Sequence, residues 1–213
     1  MTKAGSRWET LGGEILLELP EFDDPPADPL ALMRAWIDGA SRHVREPMAL
    51  ALATVDADCN PSCRVVLAKE VDERGLVFTT HHGSRKGRDI AAVGRAAGTL
   101  YWRETLQQIN IAGPVERLRD EVSDELFRER PLAAQATTTV SHQGEPLDDL
   151  DVLRARAQKL TEPGEAPSRP EGWGGYRLAP DRIEFWHGST DRLHRRLCYA
   201  RDGDAWTHHR LQP

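Results

Sequence analysis

The apolar positions change period several times along the chain, and each change marks an element. After Asp28-Pro29, Leu30, Met33, Trp36 or Ile37, Ala40 and Val44 recur at helical spacing. Asp28 is placed to cap that helix, and Pro29 sits at its first position, where a missing N–H costs nothing. Runs of another kind follow at 49–55, 64–68 and 76–80, parted by the turn-rich segments 56–61 and 72–75. Such runs, bounded by Gly, Pro, Asn and Asp, predict strands. Further strands are predicted at 98–102, 108–118, 176–178, 183–186, 197–199 and 206–211, and helices at 84–93, 120–129 and 147–160. Short connections favour antiparallel pairing, because parallel pairing needs long crossovers. The helices are too few and too unevenly placed for an alternating α/β fold. The pattern therefore predicts an α+β fold, an antiparallel β-barrel with flanking helices. Residues 161–175, rich in proline and glycine, read as a surface loop. Residues 1–27 are acidic and proline-rich and read as a mobile arm, although Ile15, Leu17 and Leu19 alternate as an added strand would. Residues 28–213 are then the folded domain.

Charge narrows the function classes. The 213 residues carry a formal net charge of -6, which argues against gripping nucleic acid or an anionic membrane through the overall field. Any anion site must be local. No run has the length of a membrane span and the start lacks an apolar signal core, so a cytoplasmic protein is expected. Cys59, Cys63 and Cys198 are odd in number, and the Cys59–Cys63 spacing fits no zinc site. Reduced thiols and no metal are expected. Nucleophile-elbow, His-Glu-x-x-His, phosphate-loop and dinucleotide glycine motifs are all absent.

Three basic segments carry the candidate chemistry. After the strand ending at Thr79-Thr80, the segment Gly83-Ser84-Arg85-Lys86-Gly87-Arg88 opens a helix, with Ser84 as its cap. Cations in a first helical turn oppose the helix dipole, and a bound phosphate reverses that penalty. On the strand Arg64-Val65-Val66-Leu67-Ala68-Lys69, alternation sends Arg64 and Lys69 to opposite faces, so they serve different groups or simply reach water. The third segment, 186–196, packs Trp186, His187, His194, Arg192, Arg195 and Arg196 together. Arginines so dense beside an indole repel one another unless an anion or a planar electron-rich group neutralises them.

Taken together with Gln107-Gln108-Ile109, Arg130-Pro131, Trp173-Gly174-Gly175-Tyr176 and Ile183-Glu184-Phe185-Trp186, these segments resemble the pyridoxamine 5′-phosphate oxidase family, collinearly from about Asp28 to Pro213. The resemblance implies a split-barrel homodimer with flavin mononucleotide (FMN) at the subunit interface. By position, Arg64, Val65, Val66, Leu67, Ala68, Lys69, Thr79, Thr80, Arg85, Lys86, Gln108, Gln143, Trp186 and Arg196 match the family's flavin contacts. Gly144 stands where the family has a serine, which removes a hydroxyl and leaves a backbone N–H.

The substrate side departs from the vitamin-processing members. There a lysine, a tyrosine, an arginine and a serine hold a phosphate; here Lys69 and Arg130 remain, but Leu126 and Ala134 replace the hydroxyl bearers. Each hydrogen bond lost to a charged group costs about 1.5–3 kcal/mol, and the substitutions are expected to widen the pocket and make it more apolar. A large fused-ring acid paired by Lys69, Arg130 or Arg192 fits better. Residues 25–32 and 101–108 resemble the phenazine-biosynthesis branch of the family. The resemblance then implies oxidation of a partly reduced phenazine carboxylic acid by FMN and O2, yielding the aromatic phenazine and hydrogen peroxide. Arg192 and His194 are the catalytic candidates and, with Lys69 and Arg130, the substrate-binding ones, His194 acting either as base or as a purely positioning group. Two alternatives stay open: a pyridoxamine or pyridoxine 5′-phosphate oxidase, and a flavin-binding module without chemistry of its own.

Overall fold

The computed structural model describes residues 17–162 and 166–213. Of the alternating residues 15, 17 and 19, Ile15 lies outside the described residues.

Helix α1 (Pro29–Ala40) begins where the caps predict, with the Asp28 carboxylate accepting from Leu30 N at 2.9 Å. It buries Leu30, Met33 and Trp36 against the barrel wall. Strands β1 (Ala49–Val55), β2 (Pro61–Val71) and β3 (Leu76–His81) form a meander, followed by α2 (Arg85–Val93), β4 (Arg95–Trp102) and β5 (Gln107–Arg117). Helices α3 (Asp120–Arg128), α4 (Leu132–Val140) and α5 (Leu150–Thr161) come next, then β6 (Trp173–Leu178), β7 (Arg182–His187), β8 (Arg195–Asp202) and β9 (Ala205–Arg210).

All pairings are antiparallel. Strand order β4-β1-β2-β3-β6-β5 with an added β4–β5 ladder closes a six-stranded barrel, and β7, β8 and β9 extend from β5. Closure needs one strand to serve several neighbours. The 11-residue β5 does so, pairing β4 and β7 along its first part and β6 through Val115–Arg117. Alternate residues fill the barrel: Leu50, Leu52, Leu100, Ile109 and Leu178 are fully buried. Arg177 fastens the outside, pairing with Asp72 of the β2–β3 turn and with Glu116 of β5.

The seam between β2 and β3 is incomplete, and this positions the site. β2 pairs β1 through Leu67, but pairs β3 only from Ala68 onward, with a register shift between Ala68 and Glu70. β3 meanwhile pairs β6 along its whole length. The two strands splay beyond Ala68 and Phe78, so residues 64–67 and 79–81 face each other across a gap with unpaired backbone edges. Such edges demand partners.

The structure corrects three expectations. Of the mobile arm expected at residues 1–27, residues 1–16 lie outside the described residues, and residues 17–27 pack on the barrel rather than leaving it. Leu19 and Phe22 are buried in the main core, Tyr199 Oη donates to Pro26 O at 2.9 Å, and Arg195 lies over the Phe22 ring at 4.4 Å. Helix α4 was not foreseen, because its three consecutive threonines have poor helix propensity; Thr137 and Thr139 donate back to the carbonyls of Ala133 and Gln135. The loop expected to run to 175 ends earlier, since Trp173 already pairs with His81.

Candidate active site

The gap between β2 and β3 is the mouth of a cleft of about 740 Å³, roofed by α4 and the segment after it. It is lined by Arg64, Val65, Val66, Leu67, Lys69, Thr79, Thr80, His81, Lys86, Arg130, Ala134, Thr137, Thr138 and Gln143. Most of the site residues read from the sequence thus come together. Arg85, beside Lys86 at the start of α2, is exposed.

One end of the cleft concentrates positive charge. Ser84 caps α2, accepting from Gly87 N, and Lys86 is buried at 7% exposure. Its ammonium donates to Thr80 Oγ1 at 3.1 Å, Ser84 Oγ at 3.3 Å and Gln143 Oε1 at 3.0 Å. All three are neutral oxygens, and among the described residues no carboxylate lies within ion-pairing distance. Burial, with the Arg64 cation nearby, pushes the Lys86 ammonium below its ordinary pKa. A buried cation without a counter-charge, at a helix N-terminus, favours a nearby anion. Gly87 makes the arrangement possible, because a Cβ there would overlap the carbonyls of His81 and His82. Arg64 is braced differently: it donates to Leu52 O and Thr54 Oγ1, contacts Ser62 Oγ, and stands 4.0 Å from the buried Asp89. Sequence reasoning missed this Thr54–Ser62–Asp89 bracket, whose members lie on three separate elements.

A second cationic group lies at Arg130. Its guanidinium donates to Thr138 Oγ1 and sits 5.1 Å from the centre of the Trp173 ring, with no carboxylate partner among the described residues. Burial lowers its pKa as well. Ala134 lines the cleft beside it, as expected. Leu126 does not: it is buried among Val77, Leu118, Phe127 and Trp173, so it cannot widen the pocket.

Gln108, Trp186, Arg192, His194 and Arg196 do not line this cleft. Gln108, Trp186 and Arg196 form one cross-strand row over β5, β7 and β8, so three residues far apart in sequence share one face. His194 and Arg196 line a separate hollow of about 540 Å³ with Phe22, Asp23, Leu193 and Arg210. The requirement for an outside anion is corrected for two of the three arginines. Arg195 reaches Asp23 at 3.3 Å, and Arg196 donates to Glu184 at 2.8 Å. Arg192 alone is exposed, on a left-handed backbone at φ 66. The His194 ring lies 4.9 Å from Trp186, and its Nδ1 accepts from Ser189 N at 3.1 Å. An accepting Nδ1 leaves the proton on Nε2, so His194 presents a donor to its surroundings.

Residues 38–162 match the model described as pyridoxamine 5′-phosphate oxidase, and residues 173–213 match the pyridoxine 5′-phosphate oxidase C-terminal dimerisation region. The chain belongs to the pyridoxamine 5′-phosphate oxidase family. It is thus an oxidoreductase of a flavin-binding family and carries that family's dimerisation region. A dihydrophenazinedicarboxylate synthase of Burkholderia lata is 46% identical, covering 98% of this chain and 99% of its own. A pyridoxine/pyridoxamine 5′-phosphate oxidase of Thermosynechococcus vestitus is 45% identical, covering 89% and 91%. Among solved structures, Burkholderia lata PhzG in complex with tetrahydrophenazine-1-carboxylic acid superposes with a TM-score of 0.91 at 46% identity, over 94% of this chain and all of that one. An FMN-binding protein of Nostoc punctiforme shares the fold, with a TM-score of 0.73 at 19% identity. Among the described residues, no helix is long and apolar enough to cross a membrane.

Proposed function

We propose that this protein is an FMN-dependent oxidase of phenazine biosynthesis, removing hydrogen from a partly reduced phenazine carboxylic acid. The observation that carries this reading is the pair of cationic groups in one cleft, Lys86 and Arg130, neither with a carboxylate of its own. A phosphate tail on Lys86, Arg85 and the α2 N-terminus, and a substrate carboxylate on Arg130 and Lys69, would complete both. The unpaired edges of 64–67 and 79–80 suit the polar rim of a flavin ring. FMN, when bound, supplies the two-electron acceptor and passes the electrons to O2, giving hydrogen peroxide.

The second group of residues would be contributed across a homodimer. Gln108, Trp186, Arg192, His194 and Arg196 sit away from the cleft in their own chain, and exposed apolar side chains flank both places: Val65 at 70% and Leu67 at 55% beside the cleft, Leu193 at 68% beside the hairpin. Burying those surfaces against a second copy would bring the row of one chain to the cleft of the other. His194 then acts as a donor that orients the acid, with Arg192 pairing a carboxylate.

The vitamin oxidase reading is supported by the comparable identity to pyridoxine/pyridoxamine 5′-phosphate oxidases. Against it, Ala134 puts no hydroxyl into the cleft. Steady-state kinetics separate the two. We expect kcat/KM for a dihydrophenazine carboxylic acid to exceed that for pyridoxine 5′-phosphate by about 10-fold or more, since a phosphate site without the hydroxyl donor at position 134 loses about 1.5–3 kcal/mol. The reverse ranking overturns the proposal.

A further inference from the structure

Oxidising a reduced phenazine ring to a C=N bond removes a hydride from carbon and a proton from nitrogen, so the site needs a proton acceptor. His194 is poorly placed for that task. Ser189 N–H donates to its Nδ1, and taking a proton at Nε2 requires a lone pair there. That tautomer puts a second hydrogen on Nδ1, facing the Ser189 N–H.

His81 has no such restriction. It ends β3, next to Thr80, and lines the cleft with Lys69, Lys86, Arg130 and Ala134. Its hydrogen bonds among the described residues run through its backbone, the carbonyl accepting from Ser84 N and Ser84 Oγ. Both ring nitrogens are left for whatever the cleft holds. The neighbouring His82 is engaged elsewhere, with Nδ1 2.6 Å from Tyr176 Oη.

The charged and titratable groups around His81 are Arg130 from the α3–α4 connection, Lys86 from α2 and His142 from the segment after α4. β6 contributes the uncharged Trp173 opposite it. Burial and these three groups all press the imidazole below its ordinary 6.5, so it is neutral at pH 7. A neutral imidazole is the form that accepts a proton, and it can hydrogen-bond both to a ring N–H of the reduced acid and to the bare ring nitrogen of the product.

The geometry points to His81 as a further catalytic residue, accepting the ring N–H proton of the reduced phenazine carboxylic acid. This rests on the function proposed above. In the step, the C–H electron pair leaves as hydride to the flavin oxidant. The N–H pair becomes the second bond of the new C=N, and the proton moves to an imidazole nitrogen of His81. The substrate loses two electrons and two hydrogens, and the imidazolium later releases its proton to water.

The test uses flavin-loaded wild type, His81→Gln, His81→Asn and His194→Gln, with three readouts: bound flavin, affinity for oxidised phenazine-1-carboxylic acid, and anaerobic flavin reduction by the reduced acid across pH. Wild type is expected to slow as pH falls through a pKa below 6.5. Both His81 variants should keep stoichiometric flavin and bind the oxidised acid nearly as wild type does, yet reduce flavin about 100-fold more slowly and lose the acid limb. His194→Gln should be slower but keep that limb. If both His81 variants reduce flavin at the wild-type rate with the wild-type pH profile, or both lose flavin, the inference is overturned while the function stands. If wild type binds no phenazine acid and its flavin is not reduced by one, the proposed function falls, and this inference with it.

Discussion

Replacing Lys86 with methionine separates the two consequences of its burial. The ammonium contributes one charge-assisted contact to the proposed phosphate, and losing it costs about 1.5–3 kcal/mol, or about 10- to 150-fold in flavin affinity. Without flavin the balance reverses. Lys86 is 7% exposed and donates only to neutral oxygens, so the apoprotein carries an uncompensated buried cation. Methionine fills nearly the same volume without that charge, and Thr80 and Gln143 remain paired at 3.2 Å. The apoprotein variant should therefore be as stable as wild type or more so. The pH dependence has a defined sign. Because the folded pKa lies below the ordinary 10.5, the unfolded chain binds more protons in the window between the two values, and wild-type apoprotein gains stability as pH rises through it. The variant lacks that contribution. Flavin fluorescence quenching gives the affinity, and thermal unfolding of the apoprotein at neutral and alkaline pH gives the rest. Unchanged flavin affinity would exclude Lys86 from the phosphate site, and an apoprotein destabilised as strongly as flavin binding is weakened would show that its buried charge is compensated.

Other substitutions probe other parts. Arg192→Ala should raise the KM for the acid by about 10-fold or more while flavin stays bound; flavin loss would move Arg192 to the cofactor site. Thr138→Val frees the Arg130 guanidinium and should weaken binding of the oxidised acid about 5- to 10-fold without altering flavin affinity, read by titration calorimetry. Gly87→Ala should destabilise the fold by about 1–3 kcal/mol, because the added Cβ meets backbone carbonyls that cannot step aside; an unchanged denaturation midpoint would contradict this. For Asp72, burial pushes the carboxyl up, but hydrogen bonds from Arg177 and from the amides of Arg74 and Gly75 outweigh it and hold the pKa below 3.8. That stabilisation is present above 3.8 and is lost as pH falls through the lower folded value. Arg177→Met should abolish most of this acid-side loss, as measured by denaturation at successive pH values.

Local signals made much of the architecture legible. The Asp28 cap, the Ser84 cap and the short turns fixed α1, α2 and the β1–β3 meander within a few residues, because each rests on contacts between near neighbours in sequence. Barrel closure was legible only as a class. That β5 serves three partners, and that β2 and β3 splay, depends on register between distant strands, which composition does not encode. The site divides the same way. Lys86 and Ser84 declare an anion site within one helical turn. The counter-charges Asp23 and Glu184, which absorb Arg195 and Arg196, lie 172 and 12 residues from their partners. Leu126 was legible as a lost hydroxyl but not as a core residue, since its face of α3 is decided by packing on Val77 and Trp173. His81 could have been found by alternation along β3, which puts it on the face of Thr79.

On the proposed function, the β2–β3 cleft brings a flavin and a tricyclic acid together for electron transfer. Anaerobic mixing of the FMN-loaded protein with a dihydrophenazine carboxylic acid tests it most directly. The oxidised flavin absorbance should bleach at a rate that saturates with the acid, and return with hydrogen peroxide when air is admitted. Flavin that stays oxidised with every reduced phenazine acid, yet bleaches with pyridoxine 5′-phosphate, would contradict it.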